Sequence, residues 1–585
     1  MFVFGGSFAD IGMSTCIVNY GASNCEYPRH NLLPIPPGVA ESGYIVPYPI
    51  MLQQLYGIRD ENVFNYAVSG STTYSGRDGY SMTFAVDTFL ASGRQIAPTD
   101  VVVISGLAND QNANKDGTPI ETIRASAAAE AAATANLMKR LMGAGARTFS
   151  FLDPGNFALS NQGGTNNFSQ YAPLSTMYSM QELLPLAKAG ARIFYMQDGI
   201  LFQRLIDTPE AYGFATKADA YLPTNGRHLN PAGMTILARY VQNQMDSPTV
   251  VAPQGQIVGS MADSFSQSIF STLDANRNFG GYGWRDSMAA MPTKAAKAVP
   301  FADYQRWYAY AQLSYAGASL DKQFYSADGS ISAVGGLGGL EYRVNPNWKL
   351  GVALTGSSPE IRLSTQNARI NDTAFLIGGY SSYTSQNWFS DALIAYGHQR
   401  LDLSRDGIMI GSSVTGSTTA NTFTAAFRSG YLFDLGLVKA GPIGGLNYTH
   451  ASIDGYTEQG DILLAQNVAS QKIEKLTGNL GVQFRMPIAY GYGGGNLVNT
   501  YVNLTAEHQF LDGNRNIGTS IVSAAILPIL TPVSDYAKGT YGKVEAGIMG
   551  DLTSSVKGTI SGYSTFARSG GSDAYGLNAS IKVAF

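Results

Sequence analysis

The last eleven residues of the chain alternate. Tyr575, Leu577, Ala579, Ile581, Val583 and Phe585 fall on one face of an extended strand; Gly576, Asn578, Ser580, Lys582 and Ala584 fall on the other. Successive side chains of a strand point to opposite sides. An apolar row backed by a row of small and polar residues predicts a strand held between lipid and a wet lumen.

The same grammar begins at about residue 305 and predicts twelve strands: about 305–317, 331–344, 347–357, 372–383, 387–401, 418–431, 436–451, 471–485, 498–509, 538–550, 553–568 and 573–585. Their connections fall into two classes. Those near 345, 385, 433 and 551 are tight, whereas 318–330, 358–371, 402–417, 452–470 and 510–537 are long. Short turns on one rim and long loops on the other are the pattern of a bacterial outer-membrane barrel. The connection at 486–497 is long for the tight side, and the one near 570 is short for the other. Trp348 and Trp388 each follow a tight turn, which puts both on one rim, where an interfacial girdle belongs. In the first strand Trp307, Ala309, Ala311, Leu313 and Tyr315 share a face with aromatics at its ends. A soluble β-sandwich is the competing reading, and strands this long argue against it.

Composition agrees. Charged residues are 14% of the 585, against roughly 25% in an average soluble protein. Gly (66) and Tyr (34) are abundant, as small lumen residues and aromatic girdles require. The net charge of −4 argues against nucleic-acid binding, which needs a basic patch. No apolar run is long enough for a transmembrane helix. No signal peptide is read, and with Met1 so close to Ser7 the expectation is a trimmed start. Cys16 and Cys25 share one loop, which leaves a small disulfide or two free thiols; with no other ligands they do not make a zinc site.

Residues 1–250 follow another grammar. Short apolar runs at Phe2–Phe4, Val63–Ala67, Val101–Ile104, Thr148–Leu152 and Arg192–Tyr195 alternate with helical stretches, the clearest being Ala125–Met142. That order predicts a mainly parallel sheet covered on both faces. A last helix is expected over about Pro231–Met245. In the transition, Ile257–Leu273 could be helical and lie inside a pore, or serve as a plain surface linker; Gly280, Gly281 and Gly283 then break the pattern.

Four segments of this region sit at strand ends and converge on acyl-transfer chemistry. Phe4-Gly5-Gly6-Ser7-Phe8-Ala9-Asp10 places a serine in a glycine turn after a strand, at the edge where α/β folds put their sites. Asn65-Tyr66-Ala67-Val68-Ser69-Gly70 offers a backbone N–H at Gly70 with no side chain in the way. Ser105-Gly106-Leu107-Ala108-Asn109-Asp110 offers the Asn109 amide. Asn225-Gly226-Arg227-His228-Leu229-Asn230-Pro231 carries an imidazole into the last helix. Of the histidines before the barrel region, His228 fits a Ser–His pair better than His30, which lies in an irregular stretch. His398, His450 and His508 fall in or near barrel strands.

In this order, the four segments resemble the signature blocks of the GDSL, or SGNH, lipases and esterases. The stretch from Asp198 through Pro209, Tyr212, Gly213 and Phe214 is similar to one that precedes the last block in such enzymes. With the barrel, the whole chain resembles a GDSL esterase autotransporter of Gram-negative bacteria. The resemblance implies an α/β three-layer SGNH-hydrolase-like passenger over 1–250, a linker with a pore helix over 251–304 and a 12-stranded transmembrane β-barrel over 305–585. It implies Ser7 as nucleophile, His228 as general base with the position of Asn225 beside it, and an oxyanion hole from the Ser7 N–H, Gly70 and Asn109. The expected reaction is hydrolysis of a carboxylic ester through an acyl-enzyme, with no metal or organic cofactor. The expected partners are an ester or lipid substrate, outer-membrane lipid and the barrel-assembly machinery, with no nucleic acid. The chain is expected to be a monomer in the outer membrane, its passenger on the cell surface.

Three positions depart from the family. Gly6 stands where the family has Asp, Leu107 where it has Gly, and Asn225 where the last block has Asp. The Asp stabilises the imidazolium. An Asn supplies no charge, and a change of this kind in another serine-hydrolase fold costs roughly 10⁴ in kcat. Three readings stay open: an inactive relative that acts as a binding or adhesion module, a weak Ser–His dyad enzyme, or an enzyme that recruits another carboxylate such as Asp219. A diffusion pore with an attached hydrolase is a further class, and twelve strands is small for an open channel.

Overall fold

The computed structural model describes residues 1–13, 16, 19, 25, 47–73, 81–106, 108–111, 117–153, 168–221, 228–277, 306–321, 326–436, 438–490, 496–511, 513–535, 539–553, 555–568 and 573–585. The head contains five parallel strands: β1 (Phe2–Gly5), β2 (Phe64–Asn65), β3 (Val101–Ser105), β4 (Thr148–Leu152) and β5 (Arg192–Met196). Their order is β2-β1-β3-β4-β5. Every residue of β4 and β5 is buried, so both faces of the sheet are covered. This is why these strands read as unbroken apolar runs rather than alternating ones.

The cover comes from two sides. Helix α1 (Tyr48–Tyr56) packs on α6 (Pro231–Val251). Helices α2 (Met82–Ala91), α3 (Ile120–Gly143) and α4 (Phe168–Lys188) form a second group, and α5 (Asp198–Asp207) follows β5. The alanine-rich run expected at Ala125–Met142 is the inner part of α3. Helix α6 outlasts its expected end at Met245 because its last turns gain a second partner: Val250 and Val251 are buried against barrel-loop residues.

Helix α7 (Pro253–Ala275) starts at once after α6 and enters the barrel. The barrel strands are β6 (Trp307–Leu320), β7 (Gly329–Asn345), β8 (Trp348–Leu363), β9 (Arg369–Thr384), β10 (Trp388–Asp406), β11 (Ser413–Tyr431), β12 (Lys439–Ile453), β13 (Gln471–Tyr490), β14 (Asn496–Gln509), β15 (Thr540–Asp551), β16 (Val556–Phe566) and β17 (Ala574–Ala584). Each pairs antiparallel with the next. β17 returns to β6, with Val583 opposite Ala309, and closes the cylinder. Closure matters because an open edge in hydrocarbon would leave N–H and C=O groups without partners. The connection expected at 486–497 is shortened by strand: Tyr490 pairs with Asn496, so β13 runs to Tyr490 and β14 begins at Asn496.

The two faces of the barrel differ as the alternation requires. Leu313, Leu354, Ile377, Ile394, Leu480 and Leu577 are exposed on the outside, while Gln312, Glu341, Asp391, Gln399, Arg485 and Asn503 are buried in the lumen. Trp307, Trp348 and Trp388 face Tyr342, Tyr383 and Tyr431 across the strands, so these aromatics share the short-turn rim.

The lumen holds α7. Gly378 gives Phe265 of α7 room; a Cβ there would lie 2.8 Å from the ring. At the far end of α7, Asp274 takes Arg428 at 2.7 Å and Asn503 at 3.0 Å, while Arg277 and Arg428 both reach Asp391. These charges can stay buried because each finds an opposite charge and hydrogen bonds. A cavity of about 250 Å³ beside the helix is lined by residues that include Asp263, Lys475, Glu507 and Lys543.

Candidate active site

Three loops leave the carboxyl ends of β1, β2 and β3, at the point where the strand order reverses. Open α/β sheets offer a crevice there. The first loop begins with Gly5, whose φ of +151° few L side chains adopt and whose Cβ would strike the Ser105 carbonyl oxygen. The Gly6 N–H donates to that same oxygen at 2.9 Å. Ser7 follows in the turn, with the Ala9 N–H donating back to the Gly6 carbonyl at 3.0 Å.

Buried polar side chains fasten the loops together. The Asp10 carboxylate accepts the N–H groups of Gly12 and Met13 and, across the crevice, that of Ser69 at 2.7 Å. Asn65 donates to the Ala9 carbonyl at 2.8 Å and accepts from the Ala67 N–H. Asp110 accepts from the Thr73 N–H and hydroxyl. The Asn109 amide donates to the Ser71 carbonyl at 2.8 Å, and Gly70 sits in a left-handed turn at φ +82°. A Cβ at position 6 would lie 3.0 Å from Asn109 Nδ2. The glycine that departs from the resemblance thus lets this amide come close to the serine turn. Asp10, Asn65 and Asp110 all lie inside the four strand-end segments, yet their fastening role is not read from the sequence. The signal that marks Asp10 and Asn65 is a polar residue between apolar neighbours near a strand end; Asp110, between Asn109 and Gln111, carries no such signal.

His228 arrives from the other side. Leu229 bridges to Tyr221, the Asn230 N–H donates to the Ala220 carbonyl, and the Asn230 side chain accepts from the Gly233 N–H to cap α6. Pro231 at the first helical position suits that cap. The imidazole Nε2 then lies 2.8 Å from Ser7 Oγ, across 221 residues of sequence. Its ring is 5.3 Å from that of Phe8, which stacks on Phe202 at 5.6 Å.

Asn225 and His30 lie outside the described residues. The Asp219 carboxylate is engaged with the Thr216 N–H and hydroxyl, where it caps the turn Lys217–Asp219. His398, His450 and His508 stand on the barrel strands; His398 and His508 hydrogen-bond Asn421 and Thr540, and His450 Nδ1 lies 3.4 Å from a Glu474 carboxylate oxygen. Cys16 and Cys25 are joined in a disulfide. Among the described residues, no group of three or more His, Cys, Asp or Glu could hold a metal ion.

Four acids buried in the head, Asp110, Glu130, Asp153 and Asp198, are held toward their neutral form. Burial raises Asp110, and burial with the charge of Asp110 raises Glu130 to about 8. Burial also raises Asp153 to about 7 and pushes Asp198 well above the usual carboxylate range.

The molecule is thus an α/β head, with a serine hydroxyl and an imidazole in contact at its sheet edge, standing on a closed twelve-stranded barrel. Residues 309–562 match the model of the Autotransporter beta-domain family. The carboxy-terminal part is therefore an autotransporter β-domain, an outer-membrane barrel that serves export and anchoring. An uncharacterized protein of the trpE–trpG intergenic region in Pseudomonas putida is 22% identical, over 89% of this chain and 90% of that protein. The translocator domain of the autotransporter NalP from Neisseria meningitidis is similar at a TM-score of 0.41 and 12% identity, covering 56% of this chain and 98% of that one. The beta domain of the Bordetella autotransporter BrkA gives 0.34 and 17%, covering 48% and 100%.

Proposed function

We propose that this chain is a serine esterase or lipase of the GDSL (SGNH) type, displayed on the cell surface by its own outer-membrane barrel. The observation that carries the reading is the 2.8 Å contact of Ser7 Oγ with His228 Nε2 at the sheet edge. In the reaction, His228 Nε2 takes the Ser7 proton as Oγ adds to the ester carbonyl. The Ser7 and Gly70 N–H groups and the second N–H of the Asn109 amide receive the oxyanion. His228 returns its proton to the departing alcohol, leaving an acyl-serine. Water, deprotonated by His228, then releases the acid and restores Ser7. The head's place on the long-loop rim, with α7 leading back through the lumen, supports the display part of this reading.

By the resemblance, Asn225 takes the sequence position of the Asp that orients and stabilises the imidazolium in such enzymes. The reading predicts a slow enzyme that Asn225→Asp speeds by up to about 10⁴ in kcat. Cells carrying the chain should hydrolyse p-nitrophenyl butyrate, cells carrying Ser7→Ala should not, and Asn225→Asp should raise the rate. Equal rates for wild type and Ser7→Ala, with Asn225→Asp also unchanged, would leave a binding or adhesion module instead.

A further inference from the structure

Three long barrel loops converge on one segment of the head, residues 197–214. At the start of α5, Gln197 Nε2 donates to the Ser523 carbonyl at 2.9 Å, from the loop between β14 and β15. In its last turn, Arg204 pairs with Asp461 at 2.7 Å, from the loop between β12 and β13. Just beyond it, the Ala211 carbonyl accepts the Ile410 N–H at 2.7 Å, from the loop between β10 and β11. The contact is also apolar: Val414, Leu463, Leu464, Ile521, Ala524 and Leu527 are buried in the same core as the head sheet.

The Asp461 loop is itself rooted in the barrel wall. Arg405, near the end of β10, pairs with Glu458 at 2.6 Å and donates to the Leu464 carbonyl at 2.7 Å. Both ionic groups are fully buried, and Glu458 also accepts the Gln466 N–H. The Gln244 amide of α6 donates to the Leu463 carbonyl from the head side. The Asp461 side chain has no exposure, and it also accepts the Leu463 N–H. The Arg204 side chain is a quarter exposed, but its partner carboxylate is wholly buried, so releasing Arg204 leaves the Asp461 charge uncompensated and the contact transmits position.

Segment 197–214 in turn backs the Ser7–His228 contact. Phe202 of α5 stacks on Phe8, the residue after Ser7, and Phe8 lies against the His228 ring. The Phe202 carbonyl accepts the Tyr221 hydroxyl at 3.0 Å, and Tyr221 bridges to Leu229, the residue after His228. One helix thus supports the neighbours of both reacting side chains.

We propose that Asp461, through Arg204 and α5, is a positioning residue for the Ser7–His228 pair, so that the head reaches full reactivity only when the barrel and its loops have folded around it. The catalytic meaning rests on the esterase reading above; the geometry does not. Reactivity depends steeply on small displacements of reacting groups, so the effect should fall on kcat. In the full chain in detergent micelles, Asp461→Ala should lower kcat on p-nitrophenyl butyrate about tenfold, with KM within about twofold. The barrel's heat-modifiable migration on gels should stay unchanged. Arg204→Ala should match it, and the double variant should lose no more than either single, as a coupled pair requires. A second readout needs no hydrolysis. In a Ser7→Cys background, iodoacetamide should alkylate the introduced thiol at a rate raised by the adjacent imidazole. Adding Asp461→Ala should cut that rate several-fold, and Asp461→Glu should restore part of it. If the wild type hydrolyses no ester, the esterase reading fails and the alkylation series alone decides. Wild-type kcat in Asp461→Ala would overturn the proposal, as would, in that second case, an alkylation rate equal to that of Ser7→Cys alone.

Discussion

The two sheets of this molecule solve opposite problems with the same backbone. The head sheet is dry on both faces, so its strands are continuous runs such as Val101–Ser105, and its polar groups gather where the strands end. The barrel sheet has lipid outside and charge inside, so its strands alternate residue by residue. In the head, Glu130 and Asp153 are buried with a hydroxyl donor each and no opposite charge among the described residues, and burial drives both toward neutrality. In the lumen, Asp274, Asp391, Arg277 and Arg428 stay together as matched pairs. Burial alone does not decide what a polar group does; the partner supplied with it does.

That contrast can be broken from either side. The largest effect is expected at the strand ends of the head. His228→Ala should lower kcat about 10²-fold or more, the missing carboxylate having already cost the rest of a full triad's loss, and leave barrel folding untouched, as measured by ester turnover beside heat-modifiable migration. A comparable loss of both would show that the head's reactivity and the barrel's fold cannot be separated at this site. Next comes the lipid face. Leu354, exposed near the middle of β8, should tolerate no charge: Leu354→Arg is expected to cost about 2–4 kcal/mol in a refolding titration into lipid vesicles. A neutral result there would contradict the membrane face.

The smallest effect belongs to the buried acids of the head. Glu130 is raised in the folded head to about 8 from an ordinary 4.5, mainly by burial. Its folded state holds the proton more tightly, so its stabilising share is complete below about pH 4.5 and is lost as pH rises through about 8. The head's melting temperature should therefore fall between pH 5 and pH 9, and Glu130→Gln should flatten that slope while changing little at pH 5. An unchanged slope would remove Glu130 as a cause.

The barrel was legible in the sequence because its rule is local. A period of two in Tyr575–Phe585 or Trp307–Tyr315 needs no knowledge of distant residues, and all twelve expected strands appear within a few residues of their places. The head was legible in kind and less so in detail. Its strands and the strand-end positions of Ser7, Gly70 and Asn109 could be read, as could His228 before α6. What brings them together could not. Asp10 reaches Ser69 and Asn65 reaches Ala9 across the crevice, and neither spacing has a sequence signature. Least legible was the joint between the regions. Gln197 meets Ser523, and Arg204 meets Asp461, over separations of 326 and 257 residues. Loops 402–417, 452–470 and 510–537 could be read only as long connections of a barrel, yet Leu463, Leu464 and Leu527 complete the core of the head.

The central claim is that Ser7 and His228 form a working nucleophile and base. A fluorophosphonate probe, applied to the folded full chain and followed by peptide mass spectrometry, addresses it without any choice of substrate. The account predicts one adduct, on Ser7, absent from Ser7→Ala and slowed by orders of magnitude in His228→Ala. A folded chain that takes no label, or takes it on another serine, would contradict it.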